Sequence, residues 1–566
     1  MPKVRFDTYY RYSELSEALH QYANEYPHLI DLESIGLSHE GREILLLTVT
    51  RKNSGPADEK PAIWVDGNIH SAELVGSMAC LYLLHTLVSG SETDAEILRC
   101  LDTHAFYICP RVNPDGAEWA LESPARIIRS GTRPYPHNEE PVSGLVAEDM
   151  DADGRILSMR IPDPNGAWKK HPKDARLMVP REPAESGGEY FRLLPEGRIE
   201  HYDGFGIPAP VRKENLDLNR NFPVQWKAEY EQKGAGEYPT SEPEVRALVD
   251  FISRHKNICS AIAFHSYSGV LLRPYSYQAD EKMTPEDLWT YQKIGQRGTE
   301  ITGYPAVSCY HEFQYHPSQV ITGALDDWFY EERGGFSWTV EVWSPQRRAG
   351  IEAFRFIDWY RTHGVDDDEK MLHWNDTELE GKGFIDWYRY EHPQLGPVEL
   401  GGWDPLFSFW NPPPRLLEKE IARFPEWVIW HNLISPRLAI HDSRVTALGE
   451  GMFQVTVVVQ NTGWLPTYVT KKGLEKKLAR GVVLEISLPE TAELVSGKPR
   501  YMGDQLEGRA YKNQSPFGWA GQVADPTEDL LRVDWVIRAP SGGSVVVCAR
   551  HERAGVVRCE ISMQSV

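Results

Sequence analysis

Between Tyr9 and about residue 365, apolar runs of strand length alternate with longer apolar runs of helical length. The segments "REILLLTVT", "PAIWVDGN", "THAFYICPRVNP", "SAIAFHSY" and "GGFSWTVEVW" read as strands. The segments "AELVGSMACLYLLHTLVSG", "SEPEVRALVDFISRH" and "GIEAFRFIDWYRTHG" read as helices. Such an order calls for an α/β sheet covered on its faces by the helices, and sites in such folds gather beyond the carboxyl ends of the strands.

Two stretches interrupt the alternation. Residues 117–214 are rich in Pro, Gly and charge and too long for a simple connection, so an insertion with hairpins of its own is expected, placed to shape a rim over a site. Residues 366–430 are rich in Trp and Pro without Gly/Ser tracts, which predicts a packed connector between a domain of residues 1–365 and whatever follows. Residues 431–566 hold short β-rich runs such as "GMFQVTVVVQNTG", "LLRVDWVIRAP" and "GGSVVVCARH", the pattern of a small immunoglobulin-like β-sandwich. Its edge strands would allow self-assembly into a homo-oligomer.

Composition narrows the partners. With 60 basic and 82 acidic residues the net charge is −22, which argues against a nucleic acid held on a basic surface. The 7 cysteines form no C-x-x-C pair, so neither a disulfide framework nor a thiolate zinc site is expected. The first residues show no apolar leader and no apolar stretch reaches the ~18 residues of a membrane span. The expectation is a cytoplasmic protein in a reducing compartment, without membrane association.

The chemistry concentrates in a few places. "DGNIHSAELVGS" leaves a buried strand and enters an apolar helix expected to begin near Ala72, which puts His70 on the turn and Glu73 in the first helical turn. An imidazole and a carboxylate so spaced can share one zinc ion, though a short H-x-x-E is also compatible with a carboxylate that merely complements a helix dipole. His265 stands at the end of the strand in "AIAFHSYSG". Asn219 and Arg220 lie side by side in "NLDLNRNFP", an amide and a guanidinium fork suited to the two oxygens of a carboxylate. Glu341 sits inside the apolar strand "FSWTVEVW", where an unpaired carboxylate is costly unless it serves as a base beside a metal.

Taken in order, "HSAE", "NPDG" (Asn113 to Gly116), "DLNRNF", "SEPEVRALVDFI", "FHSYSGVLLRPYSY", "DDWFY" and "WTVEVW" resemble the zinc metallocarboxypeptidases of the carboxypeptidase A type, from about residue 9 to 363. The resemblance implies a mixed, mostly parallel eight-stranded sheet between helices. It implies one zinc ion on His70, Glu73 and His265, and Glu341 as general base for a zinc-bound water. It also implies that Asn219 and Arg220 hold the terminal carboxylate of a peptide or peptide-like substrate, with Ser266 and Tyr267 lining the cleft. A hydrolase of cell-wall-type peptides or acylated amino acids would share this metal set, and a non-catalytic peptide-binding module would share the fold. The intact His70, Glu73, His265 and Glu341 argue against the last.

The match departs from the family in places. Ala72 replaces the arginine that usually precedes the metal-binding glutamate. The arginine expected between "NPDG" and "NRN" to stabilise the oxyanion falls within the insertion, where Arg160 is preferred over Lys169 because a guanidinium fork suits an oxyanion better. Asp326 stands where relatives of basic specificity carry an acidic residue, whereas Arg273 would favour an acidic group, and Tyr315 is the nearest match to a tyrosine that covers the substrate. "DMDADG" resembles the first half of a calcium loop, yet its twelfth position is Arg160, so Asp149, Asp151 and Asp153 read as a carboxylate-rich turn.

Overall fold

Eight strands form the central sheet of the computed structural model: β1 (Ile30–Leu37), β2 (Glu43–Val49), β3 (Ala62–Gly67), β4 (Ala105–Cys109), β5 (Ile258–His265), β6 (Val270–Arg273), β7 (Ala306–Ser308) and β8 (Phe336–Glu341). The structure describes residues 2–136, 143–209, 213–315, 319–352, 354–510, 525–540 and 543–563. The spatial order is β1-β2-β4-β3-β5-β8-β6-β7. The pairs β4/β3, β3/β5, β5/β8 and β6/β7 are parallel, and β1/β2, β2/β4 and β8/β6 antiparallel. The sheet is therefore mixed and mostly parallel, as the resemblance implies.

Helices, from α1 (Tyr12–Glu25) onward, cover both faces. Every residue of β3 is buried, the condition of a strand covered on both sides. Its Ile63 and Val65 join a core with α2 (Leu74–Gly90). Its Ala62 and Trp64 face the other way, against Val245, Leu248 and Phe251 of the helix Pro243–Arg254. α2 lies directly on the sheet because Gly67 and Gly76 meet without side chains. A Cβ on Gly76 would stand 2.6 Å from the Phe264 carbonyl oxygen and 2.9 Å from the Asn68 nitrogen. The run expected as one helix near residues 350–364 contributes only Phe356–Arg361, since the chain first turns at Gly350 with φ 79°.

The insertion and the connector share one sheet. Six antiparallel strands run in the order Phe384–His392, Gly396–Trp403, Ser158–Pro162, Phe191–Pro195, Trp168–Lys170 and Met178–Pro180. The acidic turn is stitched by Gly154 N–H to Asp149 Oδ2 at 2.9 Å, and Tyr388 of the connector donates to Asp151 Oδ2 at 2.7 Å. After the hairpin the connector returns to the core of the central sheet. Leu417, Ile421, Phe424 and Trp427 are buried in the same cluster as the residues of α2, and the helix Pro425–Leu433 runs across the junction expected at residue 430.

Two four-stranded antiparallel sheets follow from Leu438 onward, with Val455, Val457, Trp535 and Val547 in the core between them. Arg553 fastens this sandwich to the central-sheet domain. Its guanidinium donates to the carbonyls of Arg333, Gly334 and Tyr468. Among the described residues no single helix is long and apolar enough to cross a membrane.

Candidate metal centre and substrate cavity

At the carboxyl ends of β3, β5 and β8 three chain segments converge. β3 ends at Gly67 and α2 begins at Leu74, so His70 lies on the turn between them and Glu73 is the residue before the helix, with φ −86° and ψ 56°. Glu73 was expected in the first turn of a helix starting near Ala72. The later start leaves it outside the helical ladder, free to turn its carboxylate toward His70. His265 closes β5 and stands beside Glu341, which closes β8, in the parallel register of those strands. All four side chains are buried.

His70 Nδ1 lies 2.8 Å from Glu73 Oε1, His265 Nδ1 lies 3.0 Å from Glu73 Oε2, and the two Nδ1 atoms are 3.1 Å apart. Glu73 Oε2 is buried and has no hydrogen-bond partner among the described residues. Two imidazole nitrogens and a carboxylate with that spacing suit one tetrahedral zinc ion, whose ~2.0–2.1 Å bonds put ligand atoms about 3.3 Å apart. His70 Nε2 meets Asp217 Oδ1 at 3.1 Å, a partner that would orient the ring and leave Nδ1 for the metal. Sequence reading passed over Asp217, although it belongs to the quoted "DLNRNF".

A cavity of about 420 Å³ opens over these groups and is lined, among others, by His70, Glu73, Arg129, Arg220, Tyr267 and Glu341. Ser266, Tyr315, Tyr360 and Trp410 also line it. Arg220 thus reaches the cavity. Asn219 sits behind the wall, its side-chain oxygen accepting from Leu325 N–H at 2.9 Å. Asp326 is also buried behind the wall, accepting from Asp327 N–H at 2.9 Å, and Arg273 pairs with Asp280 at 2.5 Å. Neither Asp326 nor Arg273 lines the cavity.

Arg160 is not at the site. It lies on the strand Ser158–Pro162 of the insertion sheet, where its guanidinium pairs with Glu399 at 2.6 Å, donates to the Ala175 carbonyl and sits 4.5 Å from the Trp387 ring. The pairing of that strand with the connector, Glu399 opposite Arg160, holds it there. Lys169 pairs with Glu185 at 2.6 Å. The guanidinium that reaches the cavity from the insertion is Arg129, with Nε donating to Asp217 Oδ2 at 2.8 Å and NH1 3.8 Å from Glu73 Oε1. Of the described residues within 117–214, only Arg129 lines the cavity. The signal for Arg129 was its place in "ARIIRSGTRPY", close after "NPDG", yet three arginines in one irregular loop offer no periodicity that singles one out.

The electrostatics follow from this packing. Burial alone would raise the Asp217 pKa, but Arg129, Arg220 and His70 hold its carboxyl well below the usual range. Burial likewise opposes ionisation of Glu73, and His70 and His265 outweigh it to keep Glu73 a carboxylate. Glu341 is the opposite case. Burial and the neighbouring Glu73 charge push its pKa well above the ordinary value, with His70 and Arg129 opposing. The two neighbouring carboxyls are thus shifted in opposite directions, Glu73 toward the ionised form and Glu341 toward the protonated one.

The sequence family described as zinc carboxypeptidase matches residues 15–358, more than half of the chain. A second family, described only as a domain of unknown function, matches residues 437–562. Carboxypeptidase B of Astacus astacus is 26% identical over 343 residues, 59% of this chain and 86% of its own length. Carboxypeptidase A6 of Mus musculus is 24% identical over 285 residues, 49% of this chain and 48% of its own length, so the match spans about half of that relative. Among solved structures, that of thrombin activatable fibrinolysis inhibitor superposes with a TM-score of 0.39 at 21% identity, covering 60% of this chain and 67% of the other.

Proposed function

This chain belongs to the zinc carboxypeptidase family, and on that premise we propose that it hydrolyses the C-terminal peptide or amide bond of substrates with a free terminal carboxylate. The observation that carries the reading is the meeting of His70, Glu73 and His265 at 2.8–3.1 Å beside Glu341, in a cavity that also presents Arg129 and Arg220. His70, Glu73 and His265 would hold one zinc ion. When bound, zinc supplies a Lewis acid that polarises the scissile carbonyl and eases deprotonation of water. Glu341 takes the proton of the attacking water and returns it to the leaving amine. Arg220 clamps the substrate carboxylate, which sets the bond that faces the metal ligands. Arg129 meets the negative charge that develops on the carbonyl oxygen, the role first expected of Arg160. The Asp217 carboxylate, paired to both Arg129 and His70, ties these two groups together.

Seven thiols without a disulfide support a reducing, cytoplasmic location for this chemistry. The test combines metal analysis with a panel of peptides free or amidated at the C-terminus. Cleavage of the free acids and loss of cleavage on amidation is the expected result. Equal cleavage of both would remove Arg220 from its role and favour an endopeptidase or amidase.

A further inference from the structure

The metal-binding turn is held from outside the family-matched residues. Asn411 follows Trp410 in the connector, beyond residue 358 where the family match ends. Its side chain is fully buried. Asn411 Oδ1 accepts from Val75 N–H at 2.9 Å, and Nδ2 donates to the carbonyls of Ala72 at 2.7 Å and Leu406 at 3.0 Å. Ala72 immediately precedes Glu73 and Val75 lies two residues after it, so the two contacts flank the Glu73–Leu74 step.

The first N–H groups of a helix have no partner within it, and the residue just before the helix ordinarily turns its own side chain back to accept from them. Here that residue is Glu73, and its side chain makes no such bond. The Val75 N–H is instead satisfied by a residue 336 positions away. We propose that Asn411 is a positioning residue that caps α2 in place of Glu73 and thereby leaves the Glu73 carboxylate to the metal. The proposal rests on Glu73 being a zinc ligand. Without Asn411 the Val75 N–H and Ala72 carbonyl lose their buried partner. The carboxylate closest to them is then drawn to its own helix terminus, away from His70 and His265. The same segment touches the other side of the site, since Trp343 Nε1, two residues beyond Glu341, donates to the Ser408 carbonyl at 2.9 Å.

The test compares the full-length wild type with Asn411→Ala and Asn411→Ser by zinc affinity, measured by chelator competition, and by the visible absorption of the cobalt-substituted proteins. Leu417→Ala, which empties a buried position of the connector helix Pro414–Ile421 away from the turn, controls for simple loosening. Zinc binding about 10- to 100-fold weaker in Asn411→Ala, with displaced cobalt bands and a smaller change of the same sign in Asn411→Ser, is expected from loss of an outer-shell partner. Leu417→Ala should lower the melting temperature and leave zinc affinity and the cobalt bands in place. Unchanged zinc affinity in a folded Asn411 variant, or equal weakening in Leu417→Ala, overturns the positioning role. A wild type that takes up no zinc would instead refute the metal site on which the role depends.

Discussion

Glu341 ends a strand whose every residue is buried, and it does so next to a carboxylate that two histidines keep ionised. A group so placed has to exchange a proton to be of use. Replacing it with Gln keeps the shape and removes the base, so Glu341→Gln should retain wild-type zinc content while kcat falls about 10²- to 10⁴-fold. Full activity in a zinc-loaded variant would strip Glu341 of the base role. The two insertion arginines make opposite predictions. Arg129→Ala should lower kcat about 10²- to 10³-fold, as for loss of one donor to a developing oxyanion. Arg160→Ala should leave kcat near the wild-type value and lower the melting temperature, because it strands the Glu399 carboxylate in a partly buried pair. Kinetics and melting curves of the pair decide the assignment, and a kcat that follows Arg160 would reverse it. At this scale the sequence was legible where residue type and strand context agreed. Histidine after an apolar strand and glutamate within one are chemically costly placements that ask for an explanation. Arg129 gave no such signal, since an arginine in a polar loop costs nothing.

The turn that carries His70 and Glu73 depends on how closely α2 approaches the ends of β3 and β5. Gly76 permits that approach, for a Cβ there would press on the backbone of Phe264 and Asn68, neither of which can rotate aside. Gly76→Ala should therefore push the start of α2 outward, cost about 1–3 kcal/mol of stability, and weaken zinc binding although no ligand is altered. Equilibrium unfolding and metal competition read the two effects. A variant with native stability and zinc affinity would show that the close packing is incidental. The strands and helices of the central sheet could be read from periodicity because each buries its own apolar run against its neighbours. The six-stranded sheet could not. Its central pairing joins Arg160 to Glu399 across 239 positions, and its insertion strands are short and partly exposed, so no local pattern announces their partners. The insertion and the connector were therefore recognised as interruptions, while their union was invisible.

Three of the buried histidines, one in each part of the molecule, contribute to the response of the chain to acid. His104 precedes β4, His431 lies on the connector helix Pro425–Leu433, and His551 closes a sandwich strand beside Arg553. Burial pushes the first two down to a pKa of about 3 and the third to about 4, with nearby cations adding to the effect at His104 and His551. Neither ring nitrogen of His431 has a hydrogen-bond partner among the described residues. An unfolded histidine titrates near ~6.5. Above that pH both states are neutral and the full stability is present. Below it the unfolded chain binds protons that the folded chain refuses, so stability falls as pH drops from about 6.5 toward the folded values, by at most about 1.4 kcal/mol per unit for each histidine. Because the three positions span the catalytic domain, the connector and the sandwich, the loss should appear as one cooperative destabilisation of the assembled chain. His431→Leu removes one titrating group and keeps the site apolar. It is expected to flatten the decline of melting temperature between pH 6.5 and 4 and to reduce the protons taken up on unfolding at pH 5 by about one, read from calorimetry in buffers of different ionisation enthalpy. If the variant takes up as many protons as the wild type and melts along the same acid slope, His431 is already charged in the folded protein, and its burial without a partner would have to be explained by a bound water or anion.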